Sequence, residues 1–377
     1  MSQSPDDRSS AYSSTGVDYD ALDAGKRAAL SEALATSVHL GADGGRAVDQ
    51  SRGEPAFVFE LAGRTFAFVL EGLGTKSIVA RQLEDRLGAH GYRNVAYDTV
   101  AAIVNDLCCV GALPLVVNAY FATGSSKWYE HRERHAALLA GWRQGCDDAG
   151  AVWGGGESPS LPELVERSEI ELAGSAVGLI PPRRRPILGA ELEAGDELVF
   201  VESSGLHANG ASLARMVARE LAEGYGTRLP SGRTFGEGLL DPSVIYVPLV
   251  RALVESDLPV HYLSHITGHG LLKLMRPRRE LTYRVHSLPD VPEVLSFVAE
   301  RATMSTAAAY STFNMGCGFV VYCGEGCGEQ VVQLASELGL SALVAGVVED
   351  GPRRVILSEL EVVFESDDLN LIPRGAA

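Results

Sequence analysis

The segment Glu71-Gly72-Leu73-Gly74-Thr75-Lys76 combines an acid, two glycines and a lysine directly after a strand-like run. Glycines let a backbone approach phosphate, the ammonium neutralises it, and the acid can hold a metal. The lysine lacks the GK[ST] context of a P-loop, so a plain glycine turn with solvated Glu71 and Lys76 is the alternative. A second segment, Asp98 to Leu107, carries Asp98, Asn105 and Asp106 on a run whose Val100, Ile103, Val104 and Leu107 make an apolar stripe. Polar groups on such a helix need hydrogen bonds or a metal. Asp98 could equally be an N-cap.

Four further segments qualify. Gly154-Gly155-Gly156-Glu157 places an acid after three glycines, which reads as either close ligand approach or a flexible turn. Ser203 to Gly210, with His207 and Asn209, precedes a helical pattern; a strand, a small-residue turn and a helix N-terminus can bind an anion. His265-Ile266-Thr267-Gly268-His269-Gly270 and Thr312-Phe313-Asn314-Met315-Gly316-Cys317-Gly318 set glycines beside hydrogen-bonding side chains. His261, His265 and His269 are spaced four apart, but Gly268 and Gly270 oppose a helix and no acid completes a zinc motif. No GxGxxG fingerprint is present.

Hydrophobic periodicity supplies the elements that must position these residues. It predicts a helix from Tyr19 to His39 and a hairpin of two alternating strands, Phe57-Phe59-Leu61 and Phe66-Phe68-Leu70. Helices over 98–111 and 131–149 and strands over 115–122 and 169–180 follow. The arginine- and proline-rich run 181–186 reads as a linker. Beyond it come a strand over 197–201, helices over 211–223 and 328–338, and a closing hairpin over 342–357 turned at 349–352. The class is α/β (α+β), with a disordered tail over 1–15, an N-terminal domain over 16–182 and a C-terminal α/β domain over 183–377.

The 377 residues, 46% hydrophobic and 21% charged, exclude a largely disordered chain and favour two domains. A net charge of −17 disfavours nucleic acid and anionic membrane as partners. No apolar run nears the roughly 20 residues of a membrane span. With a polar N-terminus and six cysteines lacking zinc-site spacing, a cytoplasmic protein with unbridged thiols is expected.

The order of the motifs is more specific than any one of them. From Tyr12 to Asp18 through 72–76, 104–107, 155–157, 203–210, 265–270 and 312–318, the chain resembles the phosphoribosylformylglycinamidine cyclo-ligase (aminoimidazole ribonucleotide synthetase) family. The resemblance implies an N-terminal four-stranded sheet that pairs with a second copy into an eight-stranded barrel, hence a homodimer. It implies ATP and Mg²⁺ as cofactors and a small ribonucleotide as substrate. ATP would phosphorylate an amide oxygen, an internal amine would attack the activated carbon, and phosphate would leave as the ring closes. By the same likeness Glu71, Asp106 and Glu157, joined by Asp98, would hold the metal and triphosphate. Gly72, Gly74, Thr75, Lys76, Asn105 and Gly155 would cradle the nucleotide, with Lys76 neutralising phosphate charge. His207, Asn209, His265 and Asn314 would line the cleft. Three departures from the family pattern stand out: Glu71 where an aspartate is usual, the thinned glycine segment over 41–45, and His269 where the family carries glycine. They leave a paralogue with another amide or carboxylate substrate, or a non-catalytic nucleotide-binding or assembly protein, as alternatives.

Overall fold

The computed structural model describes residues 19–369 except Arg183. The expected tail over 1–15 and the motif from Tyr12 to Asp18 lie outside the described residues.

The N-terminal half is built on a six-stranded sheet in the order β1-β2-β3-β6-β4-β5. Its strands are β1 (Arg46–Ala47), β2 (Phe57–Leu61), β3 (Arg64–Gly72), β4 (Leu113–Thr123), β5 (Val152–Glu157) and β6 (Ile170–Leu179). The expected four-stranded core is therefore extended by a short strand on one edge and by β5 on the other. Only β4 and β5 run parallel; the other neighbours are antiparallel. Ala62 and Gly63, at φ 51° and 69°, form the tight turn between β2 and β3, as two consecutive left-handed residues do in a hairpin.

Alternation along the hairpin sorts its side chains onto two faces. Val58, Ala67 and Val69 are buried, whereas Phe68 is 41% and Leu70 69% exposed. Phe57 pairs with Phe68 and Phe59 with Phe66; the Phe59 and Phe66 rings stack at 5.6 Å. The buried face is covered by the long helix His90–Cys108, on which Arg132–Ala149 packs. Gly141 permits that approach, since a Cβ there would lie 1.9 Å from the Arg93 carbonyl oxygen.

The run Gly154-Gly155-Gly156 is not a turn but the middle of edge strand β5. A Cβ on Gly156 would stand 2.0 Å from the Ala119 carbonyl oxygen, so close strand pairing accounts for that glycine.

The C-terminal half holds a seven-stranded sheet, ordered β13-β12-β9-β11-β7-β10-β8. These are β7 (Glu197–Glu202), β8 (Val260–His265), β9 (Leu281–Val285), β10 (Cys317–Cys323), β11 (Ala342–Asp350), β12 (Arg354–Leu357) and β13 (Val362–Glu365). Strand β10 is buried along its whole length, and β7 over Leu198–Val201, which matches their nearly continuous apolar sequence. The expected closing hairpin does not form. β9 inserts between β11 and β12, antiparallel to the first and parallel to the second. Leu281, Tyr283 and Val285 of β9 are buried there, and the Thr282 hydroxyl donates to the Pro352 carbonyl across the turn. All six cysteines are unbridged.

Candidate functional site

Polar residues on the apolar helix His90–Cys108 grip the far half of the chain. Asn94 donates to the Leu240 carbonyl at 2.8 Å, and Asp98 Oδ1 accepts from Ser243 N at 2.7 Å. Asn105 donates to the Val244 carbonyl at 2.8 Å and accepts from Tyr246 N at 2.9 Å. The side chain of Asn105 is thereby committed to backbone, which replaces the nucleotide role expected of it.

Lys76 is 0% exposed. Its Nζ lies 2.6 Å from Asp98 Oδ2 and donates to the His207 carbonyl at 2.7 Å. The structure thus corrects two expectations. Lys76 is not turned toward a phosphate, and Asp98 spends both oxygens on the protein rather than on a metal. Thr75 shares a hydrogen bond with Ser212 at 2.9 Å, again tying the halves together.

Asp106 behaves differently. Its Oδ1 meets His265 Nδ1 at 2.6 Å, and both residues line a cavity of about 420 Å³ between the two halves. Burial alone would raise the Asp106 carboxyl, but the His265 hydrogen bond and the charges of His265, Lys273 and Arg276 hold it down at about 2. An ionised carboxylate only accepts, so His265 donates from Nδ1 and its Nε2 is left to act elsewhere.

Glu71, Gly72 and Asn209 line the same cavity, as do Thr267, His269, Lys273 and Arg276. The last two escaped the sequence reading. Lys273 Nζ donates to the His265 carbonyl at 3.2 Å and to the Thr267 hydroxyl. Burial and the nearby Arg276 guanidinium push its ammonium down to about 8. His269 sits at φ 72°, the left-handed region where a glycine would be unstrained.

His207 also has positive φ, 58°, and is buried outside the cavity lining. Its Nε2 accepts from Ser204 N at 3.3 Å and Val244 N at 3.5 Å, while Nδ1 has no partner. Burial, then the charges of His265 and Lys76, lower its pKa well below the usual imidazole value, so the ring is neutral. Asn314 donates to the Gly205 carbonyl at 2.9 Å and accepts from Ser203 Oγ at 2.8 Å and Gly316 N at 3.0 Å. It closes the 203–210 turn rather than facing the cavity.

Gly74, at φ 70°, has open space around it. Gly155 and Glu157 lie exposed on β5, outside the cavity lining. Among the described residues no three acids, histidines or cysteines are gathered for a metal, so Glu71, Asp106 and Glu157 do not converge. Glu71 and Asp106 do share the cavity, and two carboxylates with ligand phosphates and water suffice for Mg²⁺. The donor set fits that ion.

Comparison with known proteins identifies both halves of the chain. Residues 53–180 match the AIR synthase related protein N-terminal domain, and residues 193–358 match its C-terminal domain. A curated phosphoribosylformylglycinamidine cyclo-ligase from Methanobrevibacter smithii is 30% identical over 342 residues, 90% of this chain and 95% of that one. Among solved structures, one titled as a HypE–HypF complex superposes with a TM-score of 0.58 at 16% identity, covering 83% of this chain and 93% of the other. AaThiL complexed with AMPPCP and TMP gives a TM-score of 0.56 at 15% identity, covering 82% and 89%. Those two likenesses establish the two-domain fold. With both domains matched and a curated relative aligned along nearly its full length, this chain belongs to the AIR synthase-related family.

Proposed function

We propose that the chain is an ATP-dependent cyclo-ligase that converts formylglycinamidine ribonucleotide to aminoimidazole ribonucleotide. The observation that carries the reading is the Asp106–His265 pair on the wall of a cavity that also presents Glu71, Asn209 and Lys273. In the reaction, the amide oxygen attacks the γ-phosphoryl group of ATP and ADP leaves. The internal amine then attacks the activated carbon, the carbon–oxygen bond breaks, and phosphate departs as the ring closes. Asp106 fixes His265 through Nδ1; in the neutral ring this leaves the Nε2 lone pair to take the proton lost by the attacking amine, and the imidazolium so formed is stabilised by the Asp106 carboxylate. Asn209 supplies amide hydrogen bonds to the substrate. Mg²⁺, held by Glu71 and Asp106, would neutralise the phosphate charge that an acidic protein otherwise repels.

A homodimer joined through the hairpin face and a cytoplasmic location accompany this reading. No helix among the described residues is long and apolar enough to cross a membrane.

The test is direct. Purified protein with formylglycinamidine ribonucleotide, ATP and Mg²⁺ should release ADP, phosphate and aminoimidazole ribonucleotide in equal amounts. Nucleotide binding without cyclisation favours the second reading, a paralogue that activates a different amide or carboxylate. His269, at the cavity wall with a left-handed backbone, is the observation favouring that alternative. Neither binding nor turnover would leave the non-catalytic reading.

A further inference from the structure

The short 3₁₀ segment Gly270–Met275 brings two cations to one cavity. Lys273 and Arg276, the residue that caps the segment, are three apart and both line the cavity. Residues spaced by three on such a helix point the same way. Gly270 locks the segment in place: a Cβ there would lie 2.2 Å from the Tyr310 carbonyl oxygen, so it sits hard against that backbone.

Among the described residues neither cation forms an ion pair with a carboxylate. Lys273 spends two protons on the His265 carbonyl and the Thr267 hydroxyl, which leaves a third. Arg276 Nε is buried with no hydrogen-bond partner. Glu54 lies close enough to balance part of the Arg276 charge, but its carboxylate is already engaged by the Tyr262 hydroxyl at 2.6 Å. Two cations that only supported the fold would gain most from direct carboxylate partners. A held ammonium beside a guanidinium with an unused Nε–H suits a phosphoryl group instead. The guanidinium offers a planar fork and the ammonium a point charge.

We infer that Lys273 and Arg276 form the phosphoryl-binding wall of this cavity, facing Glu71 and Asp106 on its acidic side. The inference rests on the cyclo-ligase reading only for the identity of the phosphoryl compound. The group seated there belongs either to the nucleotide or to a sugar phosphate, and the test separates them.

Isothermal titration of the full chain with inorganic phosphate, ribose 5-phosphate and Mg-ATP provides the readout without turnover. Wild type is expected to bind phosphate and at least one of the other two. Lys273→Met and Arg276→Gln should each weaken phosphate at least tenfold, and Lys273→Arg should recover most of the loss. A matching loss for ribose 5-phosphate alone assigns the wall to the sugar phosphate, and one for Mg-ATP alone to the nucleotide. Urea midpoints identify a variant that is misfolded, in which case Lys273→Arg and Lys273→Gln replace it. Folded variants with unchanged affinity for all three ligands, or a wild type that binds no phosphate, would overturn the inference. Lost phosphate binding in variants of a protein that never cyclises would keep it and reject the cyclo-ligase reading instead.

Discussion

Lys76 Nζ stands 2.6 Å from Asp98 Oδ2 with both side chains fully buried. The pair joins the start of helix Lys76–Gln82 to the middle of His90–Cys108, and the same ammonium reaches the His207 carbonyl of the C-terminal half. It works as a charged rivet between the two halves.

Removing one partner strands the other. Lys76→Met should cost about 3–5 kcal/mol, because it leaves Asp98 buried without its cation. The double variant Lys76→Met, Asp98→Asn should cost less than that single one, since the amide still accepts from Ser243 N. Urea unfolding of the single and double variants measures this. A double variant that is the sum of its parts would mean the two groups are not coupled.

Asp106 carries its own pH signature. Its folded carboxyl lies near 2 against an ordinary 3.8, so its stabilisation is complete above about pH 4 and is lost as pH falls toward 2. The difference corresponds to about 2 kcal/mol at neutral pH. Asp106→Asn should show that deficit at pH 7, with the gap to wild type closing as the solution is acidified. Denaturation curves between pH 7 and 2 decide the matter; a constant gap would contradict it.

At His269 the backbone, rather than the ring, sets the expectation. With φ at 72°, glycine is unstrained there and alanine is not. His269→Gly should be more stable than His269→Ala by about 1 kcal/mol. Both variants lose the imidazole, so the comparison cancels its contacts. Equal thermal midpoints would show that the strain is relieved by local movement.

The exposed hairpin face predicts assembly. Phe57, Phe59, Phe66, Phe68 and Leu70 lie half-buried or exposed on one side of β2 and β3, an apolar area of the kind that marks an interface. Light scattering should report twice the monomer mass, and Phe68→Lys with Leu70→Glu should return the chain to a monomer. A wild-type monomer at micromolar concentration would refute this.

Where local pattern decides structure, the residues were readable. The alternation of Phe57 to Leu70 specified the hairpin, and the mismatch between polar Asp106 and its apolar helix singled out a residue that lines the cavity and pairs with His265. The same logic misassigned Asp98 and Asn105. Their partners, the backbone of Ser243, Val244 and Tyr246, lie about 140 positions away and leave no local trace. Lys273 was invisible because it is a single lysine in the apolar run 271–275, just past the end of the 265–270 motif. The pairing of β11 with β9 could not be read from a turn signal at 349–352, because a turn reverses the chain without choosing its neighbour.

The placement of β9 between β11 and β12 bears on biogenesis. A ribosome delivers the chain from its N-terminus, and β9 has neither of its sheet neighbours until β11 and β12 have been made. Strand β7 waits longer still, since β10 and β11, which flank it, begin at Cys317 and Ala342. During that interval Leu198 to Val201 and the apolar side chains of β9 have no sheet to enter, and pairing over such separations is slow. The N-terminal sheet, complete by Leu179, can close first. The nascent C-terminal half is therefore the stretch whose apolar strands wait longest for their sheet partners, whereas every residue lining the cavity, from Leu30 to Arg276, has been made before β10 begins.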